Sequence, residues 1–487
     1  MNATRINQTI GKLGSIACLV YTLLSLPLSG LAAAADGRTA SAGTASDEAI
    51  TAPSDEPVGA GDEPTDRLRH LEMADTPTEW RETTLTGDWQ GRRQRLAEAG
   101  IKIDLSYTGD WLRNTSGGLR RGSAYLGHVD LVLRLDAEKL VGWPGGAAYL
   151  QVIDNSGGPF NGRYAGSLMG SDNIEAPLNR TGVFRAWLQQ SFLDDHASLR
   201  LGLYPVDTEF YVTDASGIFL HPSFGIAAEA GDFGTRSGPP IYPTSSYGAR
   251  LRFEPDPTWY AMVALAQAVP SERIGQVGPH ITWQQGSGSL LIAELGFSPT
   301  KAGLLADQPA VPAEKNDDFA PISKLAVGAW RFNPRFAQIA AVSEAGEALT
   351  ARHWGAYLLA EQTLYRVPGE NRDVAVFFRY GIADGRTNNL DYSLSFGLSL
   401  RGPFAGRDND TFGIALTRAH VGAQGRSALA SALGASLSAE SESVLEIAYR
   451  AQAAPGVVLQ PLFQRILNPG LNLPHASIAG VRLQLAF

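Results

Sequence analysis

The last twelve residues, Ala476 to Phe487, read Ala-Ser-Ile-Ala-Gly-Val-Arg-Leu-Gln-Leu-Ala-Phe and leave few folds open. Counting back from Phe487, one side carries Leu485, Leu483, Val481 and Ala479. The other carries Ala486, Gln484, Arg482 and Gly480. A strand points successive side chains to opposite faces, so one face is apolar and the other small or polar. A strand of a soluble sandwich has the same pattern. An amphipathic strand that stops on an aromatic is the usual closing strand of an outer-membrane barrel. In that setting the strand ending at Phe487 is the segment offered to the barrel-assembly machinery.

The period of two recurs along the chain from Ile101. Ile101, Ile103, Leu105 and Tyr107 alternate with Lys102, Asp104, Ser106 and Thr108. Val129, Leu131, Leu133 and Leu135 alternate with His128, Asp130, Arg134 and Asp136. Tyr247, Ala249, Leu251 and Phe253 alternate with Ser246, Gly248, Arg250 and Arg252. Sixteen strands are expected, near residues 101–111, 127–137, 146–153, 183–192, 197–204, 246–253, 258–267, 290–298, 323–332, 354–365, 373–381, 391–401, 410–418, 442–451, 457–466 and 478–487. An even number leaves both ends of the barrel sequence on one side. Tight turns such as 193–196, 254–257 and 452–456 alternate with long loops at 154–182, 205–245 and 419–441. Short periplasmic turns and long outside loops are the barrel pattern. The Pro/Ala-rich stretch 299–322 breaks it, being long where a turn is expected.

The first segment fits export. Residues 1–12 carry Arg5 and Lys12 and no acid, Leu13 to Leu31 are mostly apolar, and Ala32 to Ala35 offer small residues for cleavage. We read 1–35 as a signal peptide. The one cysteine, Cys18, falls inside it, so the mature chain has no thiol and needs no disulfide. Residues 36–79 are rich in Ala, Gly, Pro, Ser, Thr, Asp and Glu, and a disordered periplasmic linker is expected over 36–84. Trp89 to Ala99 reads as a short helix, with Thr86 and Asp88 as caps and Gly100 as its stop. The barrel then occupies 85–487. No apolar run beyond residue 35 is long enough for a membrane helix, which leaves strands as the means of crossing. The charge of -9 argues against a nucleic-acid partner.

Several stretches resemble the carbohydrate-selective porin family of Gram-negative outer membranes. They are Leu85-Thr-Gly-Asp-Trp89, the run from Asp130 to Pro144, Gly202 to Phe210, Phe219 to Phe224, Tyr242 to Gly248, and Glu446 to Arg450 with Leu459-Gln-Pro461. The resemblance implies an all-β, sixteen-stranded transmembrane antiparallel barrel in the outer membrane that passes monosaccharides, glucose in particular, by diffusion. It implies no cofactor and no metal. A lipid-facing exterior follows, and monomer and trimer both remain open.

A sugar-selective lumen needs paired donors and acceptors for hydroxyls and aromatic rings for C–H faces. The loop 205–245 is the best candidate to fold inside, because it holds Phe210, Tyr211, Phe219, Phe224 and Phe233 beside Asp207, Glu209 and His221. Its rings either stack on sugar or pack the loop against the wall. Parity points Arg134, Arg200, Arg250, Arg252, Arg379 and Arg450 inward, facing acids such as Asp130, Glu361 and Glu446. These side chains either set a field across the pore or brace its wall by ion pairing. Arg92, Arg93 and Arg95 either dock the starting helix or form a solvated face. Other readings are a porin for organic acids and a barrel enzyme or adhesion protein. Ser123, His128 and Asp130 would be a catalytic set only with the nucleophile facing lipid, and His128 is expected in the lumen. The eight histidines contain no metal-binding spacing.

Overall fold

The computed structural model describes residues 77–176, 179–231, 239–256, 258–268, 288–298, 323–342, 346–367 and 372–487. The expected signal peptide, residues 36–76 of the expected linker, Phe233 and the connection 299–322 lie outside these residues. The last part of the expected linker is ordered. Helix α1 spans Pro77–Thr83 and buries Trp80, a large apolar side chain that the polar composition around it obscured.

Sixteen strands among the described residues close into one barrel, each antiparallel to its neighbours. They are β1 Ile101–Ser116, β2 Gly122–Asp136, β3 Gly146–Gly157, β4 Arg180–Phe192, β5 Ala197–Tyr204, β6 Ser246–Asp256, β7 Trp259–Gln267 and β8 Ser289–Phe297. Then come β9 Ser323–Val342, β10 Ala348–Arg366, β11 Asp373–Ala383, β12 Leu390–Arg401, β13 Thr411–Val421, β14 Ser441–Ala454, β15 Val457–Leu467 and β16 Ala476–Ala486. Several strands outrun the alternation, β9 by ten residues and β1 by five. Beyond the lipid belt both faces meet water, so alternation lapses while the hydrogen-bond ladder continues.

The two faces have the values expected for a membrane barrel. Leu188, Leu201, Leu251, Leu265, Leu291 and Val327 are exposed on the outside. Arg200, Arg250, Glu361 and Glu446 are buried within. Aromatic residues edge the apolar band: Phe253 and Trp259 at the turn end, and Trp111 paired across strands with Tyr125 at the loop end.

Closure joins β1 to β16, with Asp110 opposite Arg482 and Tyr107 opposite Leu485. Helix α2, Arg92–Glu98, sits beneath this seam. The helix starts three residues later than expected, with Gly91 as its N-cap, and Asp88 accepts the Gln94 N–H at 3.1 Å from outside the helix. Arg93 is buried, with its guanidinium 4.5 Å from the Trp89 ring centre, and it donates to the Phe487 carbonyl at 2.6 Å. Arg92 and Arg95 are exposed, so only one of the three arginines docks the helix.

The apolar core is inside the barrel, where the β5–β6 connection turns inward. One cluster joins Val206, Phe210 and Tyr211 to β7–β10. The other joins Phe219, Leu220 and Phe224 to the wall formed by β11 and β13–β16. A lumen wide enough for water is thereby narrowed by protein.

Candidate functional site

The inward loop is held by wall side chains that bind its backbone. Glu361 on β10 accepts the N–H groups of Asp214 and Ala215 at 2.7 and 3.1 Å. Glu446 on β14 accepts those of Leu220 and His221 at 2.7 and 2.9 Å. Lys324 on β9 donates to the Val212 carbonyl at 2.8 Å, and Gln460 on β15 to that of Ile218 at 2.6 Å. Arg379 donates to Thr213 and to Ser216. Buried backbone groups demand partners, and in a loop without a ladder the wall supplies them.

The expected arginines divide by neighbourhood. Arg250 binds Glu209 of the loop at 2.7 Å, with Arg200 3.6 Å from the same carboxylate. Both also donate to Gln189, and Arg200 lies 3.7 Å from the centre of the Trp187 ring. Arg134 pairs with Asp104, and Arg252 with Glu254. Arg450 is half-buried near the turn end of β14. Asp207 accepts the Tyr242 N–H at 3.1 Å, tying the two ends of the loop together.

The rings expected to line the pore pack instead. Phe210, Phe219 and Phe224 are 0 %, 3 % and 1 % exposed. Phe219 and Phe224 stand 4.9 Å apart, and both meet Phe377 of β11. Tyr211 stacks on Tyr357 at 3.6 Å. Their apolar area is used to fasten the loop to the wall, which is the packing alternative of the two readings of these rings.

An open polar cavity of about 260 Å³ remains beside this plug, against β1–β4, β15 and β16. Its lining includes His128, Asp130, Gln151, Arg185, Tyr242 and Arg482. His128 Nε2 lies 2.8 Å from Asp130 Oδ2, and His128 Nδ1 lies 2.7 Å from Asn155 Oδ1. Gln151 donates to Asp130 and accepts from Arg185. The Tyr242 hydroxyl donates to Asn155 at 2.5 Å, and its ring meets Phe184 edge-on at 5.6 Å. Arg482 grips Asp110 through two bonds of 2.8 and 2.6 Å, reaches Asn173 at 2.6 Å, and lies 3.7 Å from Asp172. The wall of this cavity therefore offers both signs of charge, neutral amides and two rings.

Of the residues expected at a constriction, Asp130 lies in this cavity. Arg185 and Phe184 escaped the sequence reading because strict alternation breaks there. The β3–β4 register runs Gln151 to Arg185 and then Val152 to Val183, skipping Phe184. This bulge turns two successive side chains into the lumen, as bulges beside functional sites do. Arg482 was inward by parity, but nothing local marked it above other inward arginines. Asp172, Asn173 and Tyr242 arrive on loops, where no period applies.

Three loop groups show what this interior does to charge. Burial pushes the Glu229 carboxyl up to about 7 and Asp207 up to about 6, and pushes the His221 imidazole down to about 3. In each the interior favours the neutral form.

The family model described as "Carbohydrate-selective porin, OprB family" matches residues 120–487. Porin B of Pseudomonas aeruginosa is 23 % identical over 439 residues, covering 83 % of this chain and 91 % of that protein. The high-pH structure of Pseudomonas putida OprB superposes with a TM-score of 0.73 at 18 % identity, covering 84 % of this chain and 99 % of that one. The low-pH structure of the same protein gives 0.51 at 17 % identity, covering 83 % and 98 %. Both structural matches speak to the barrel.

Proposed function

This chain belongs to the carbohydrate-selective porin, OprB family, and from that premise we propose that it passes monosaccharides such as glucose by passive, saturable diffusion. It is a porin of the outer membrane, a channel and not an enzyme. The observation that carries the finer reading is the cavity of Asp130, Gln151, Arg185, Tyr242 and Arg482. Hydroxyls exchange water for paired carboxylate, amide and guanidinium groups without leaving any group bare. The C–H face of a sugar ring lies against Tyr242 or Phe184. An organic-acid porin would favour unpaired guanidinium at this point, whereas here Asp130 stands beside Arg185 and Arg482 is paired with Asp110. In this reading residues 1–35 direct export and the strand ending at Phe487 engages the assembly machinery.

Planar-bilayer conductance, titrated with glucose and then with an organic anion of similar size, tests the proposal. Saturable block by glucose with little by the anion is expected. Block by the anion alone would overturn the substrate while keeping the channel.

A further inference from the structure

The outer surface of β9 and β10 carries a charge pattern that the pore does not use. Reading outward from the turn end, β9 shows Leu325, Val327 and Ala329 to lipid, then Arg331 and Arg335. On β10, Leu358, Ala356 and Trp354 precede Arg352. Trp354 is exposed and is the cross-strand partner of Arg331, so the arginines begin where the aromatic edge of the apolar band ends. By the loop lengths this is the outer-leaflet side.

Arg335 and Arg352 are direct cross-strand partners. Like charges placed directly opposite are destabilising, and such a pair normally has an acid beside it. Among the described residues no acid pairs with Arg335 or Arg352. Among the described residues, neither Arg331 nor Arg352 has a hydrogen bond or ion pair, and Arg335 donates only to Thr350. The fourth cation, Arg386, follows β11, and its backbone carbonyl accepts the Ile339 N–H at 2.8 Å, which holds it against β9. It pairs with Asp384, the acid that faces it among the described residues. These four guanidinium groups and Trp354 line an open groove of about 690 Å³ on the outside of the barrel.

Guanidinium groups in a fork match phosphate oxygens, and a basic cluster at headgroup level above an apolar band matches an anionic headgroup with acyl chains below it. We propose that Arg331, Arg335, Arg352 and Arg386 form a binding site for the phosphorylated headgroup of an outer-leaflet glycolipid. Trp354 and the apolar face of β9–β10 take its acyl chains. The phosphate supplies the counter-charge that the opposed pair lacks. The site is independent of the sugar pathway, since it lies on the other face of the wall.

The test is native mass spectrometry of the full-length barrel released from micelles containing lipid A with both phosphates, alongside the dephosphorylated lipid. Retention of the bisphosphorylated lipid is expected to exceed that of the dephosphorylated one by at least about tenfold. The triple variant Arg331→Gln, Arg335→Gln, Arg352→Gln should lose that preference while keeping its channel conductance. If the variant does not fold, the comparison of the two lipids on the native barrel stands by itself. Equal retention of both lipids, an undiminished preference in a folded variant, competition by millimolar inorganic phosphate alone, or a barrel dimer in place of the lipid adduct would each overturn the proposal.

Discussion

Tyr242 and Phe210 are both aromatic residues of the inward loop, and their surroundings give them different work. Phe210 is wholly covered and touches the wall of β7–β10. Tyr242 faces the cavity with its hydroxyl held by Asn155. Replacing Phe210 by Ala should therefore cost about 3–5 kcal/mol of stability, read as a lower unfolding midpoint in denaturant. Tyr242→Ala should weaken glucose block roughly threefold to tenfold, as expected for losing one stacked ring, whereas Tyr242→Phe should change it little. Equal block by the wild type and Tyr242→Ala would remove this ring from the sugar path. The same distinction was invisible in the sequence, where both are rings in one long loop.

The inward loop is an element without a ladder, and it is held by acceptors and donors from six or more strands. Helix α3, Ala228–Gly231, brings Glu229 against β11 and β12, where it accepts from Ser393 and from the Tyr211 hydroxyl. Gly381 makes this approach possible, since a Cβ there would lie 1.8 Å from the Glu229 carboxylate. Burial holds Glu229 near 7, against 4.5 for the free group. The folded loop thus keeps a proton that the released loop gives up between about pH 4.5 and 7, so this contribution to stability falls as pH rises through that window. His221, pushed down to about 3 from 6.5, acts in the opposite sense and is lost as pH falls. Glu229→Gln should leave the loop unchanged below pH 4.5 and hold it more tightly above pH 7, by about 1–3 kcal/mol. Hydrogen exchange of peptides from residues 213–231 reads this directly, and faster exchange in the variant at pH 8 would contradict it.

For the whole molecule, closure is the decisive event, because an open sheet of this size would leave two unpaired edges in lipid. The β1–β16 seam carries the buried Asp110–Arg482 pair inside and helix α2 beneath. Arg93→Ala removes a charge-assisted hydrogen bond to the Phe487 carbonyl and should lower stability by about 1–3 kcal/mol, seen as a reduced temperature for loss of the folded band in heat-modifiability gels. An unaltered midpoint would mean that the helix merely rests against the seam. The strand number, the core of each strand, most inward and outward faces and the closing strand were legible in the sequence, because the alternation of a strand is local and a lipid exterior with a wet interior makes it continuous. The inward folding of residues 205–245 was suggested by its excess of rings, again a local property. What those rings do was decided only by tertiary structure. So was the cavity, which joins Asp130, Arg185, Tyr242 and Arg482 from positions up to 352 residues apart. A bulge at Phe184 and two loops supply part of it, and none of these obeys a period. Alternation tells a side chain which face it occupies, but its partners are set by which strands the closed barrel brings together.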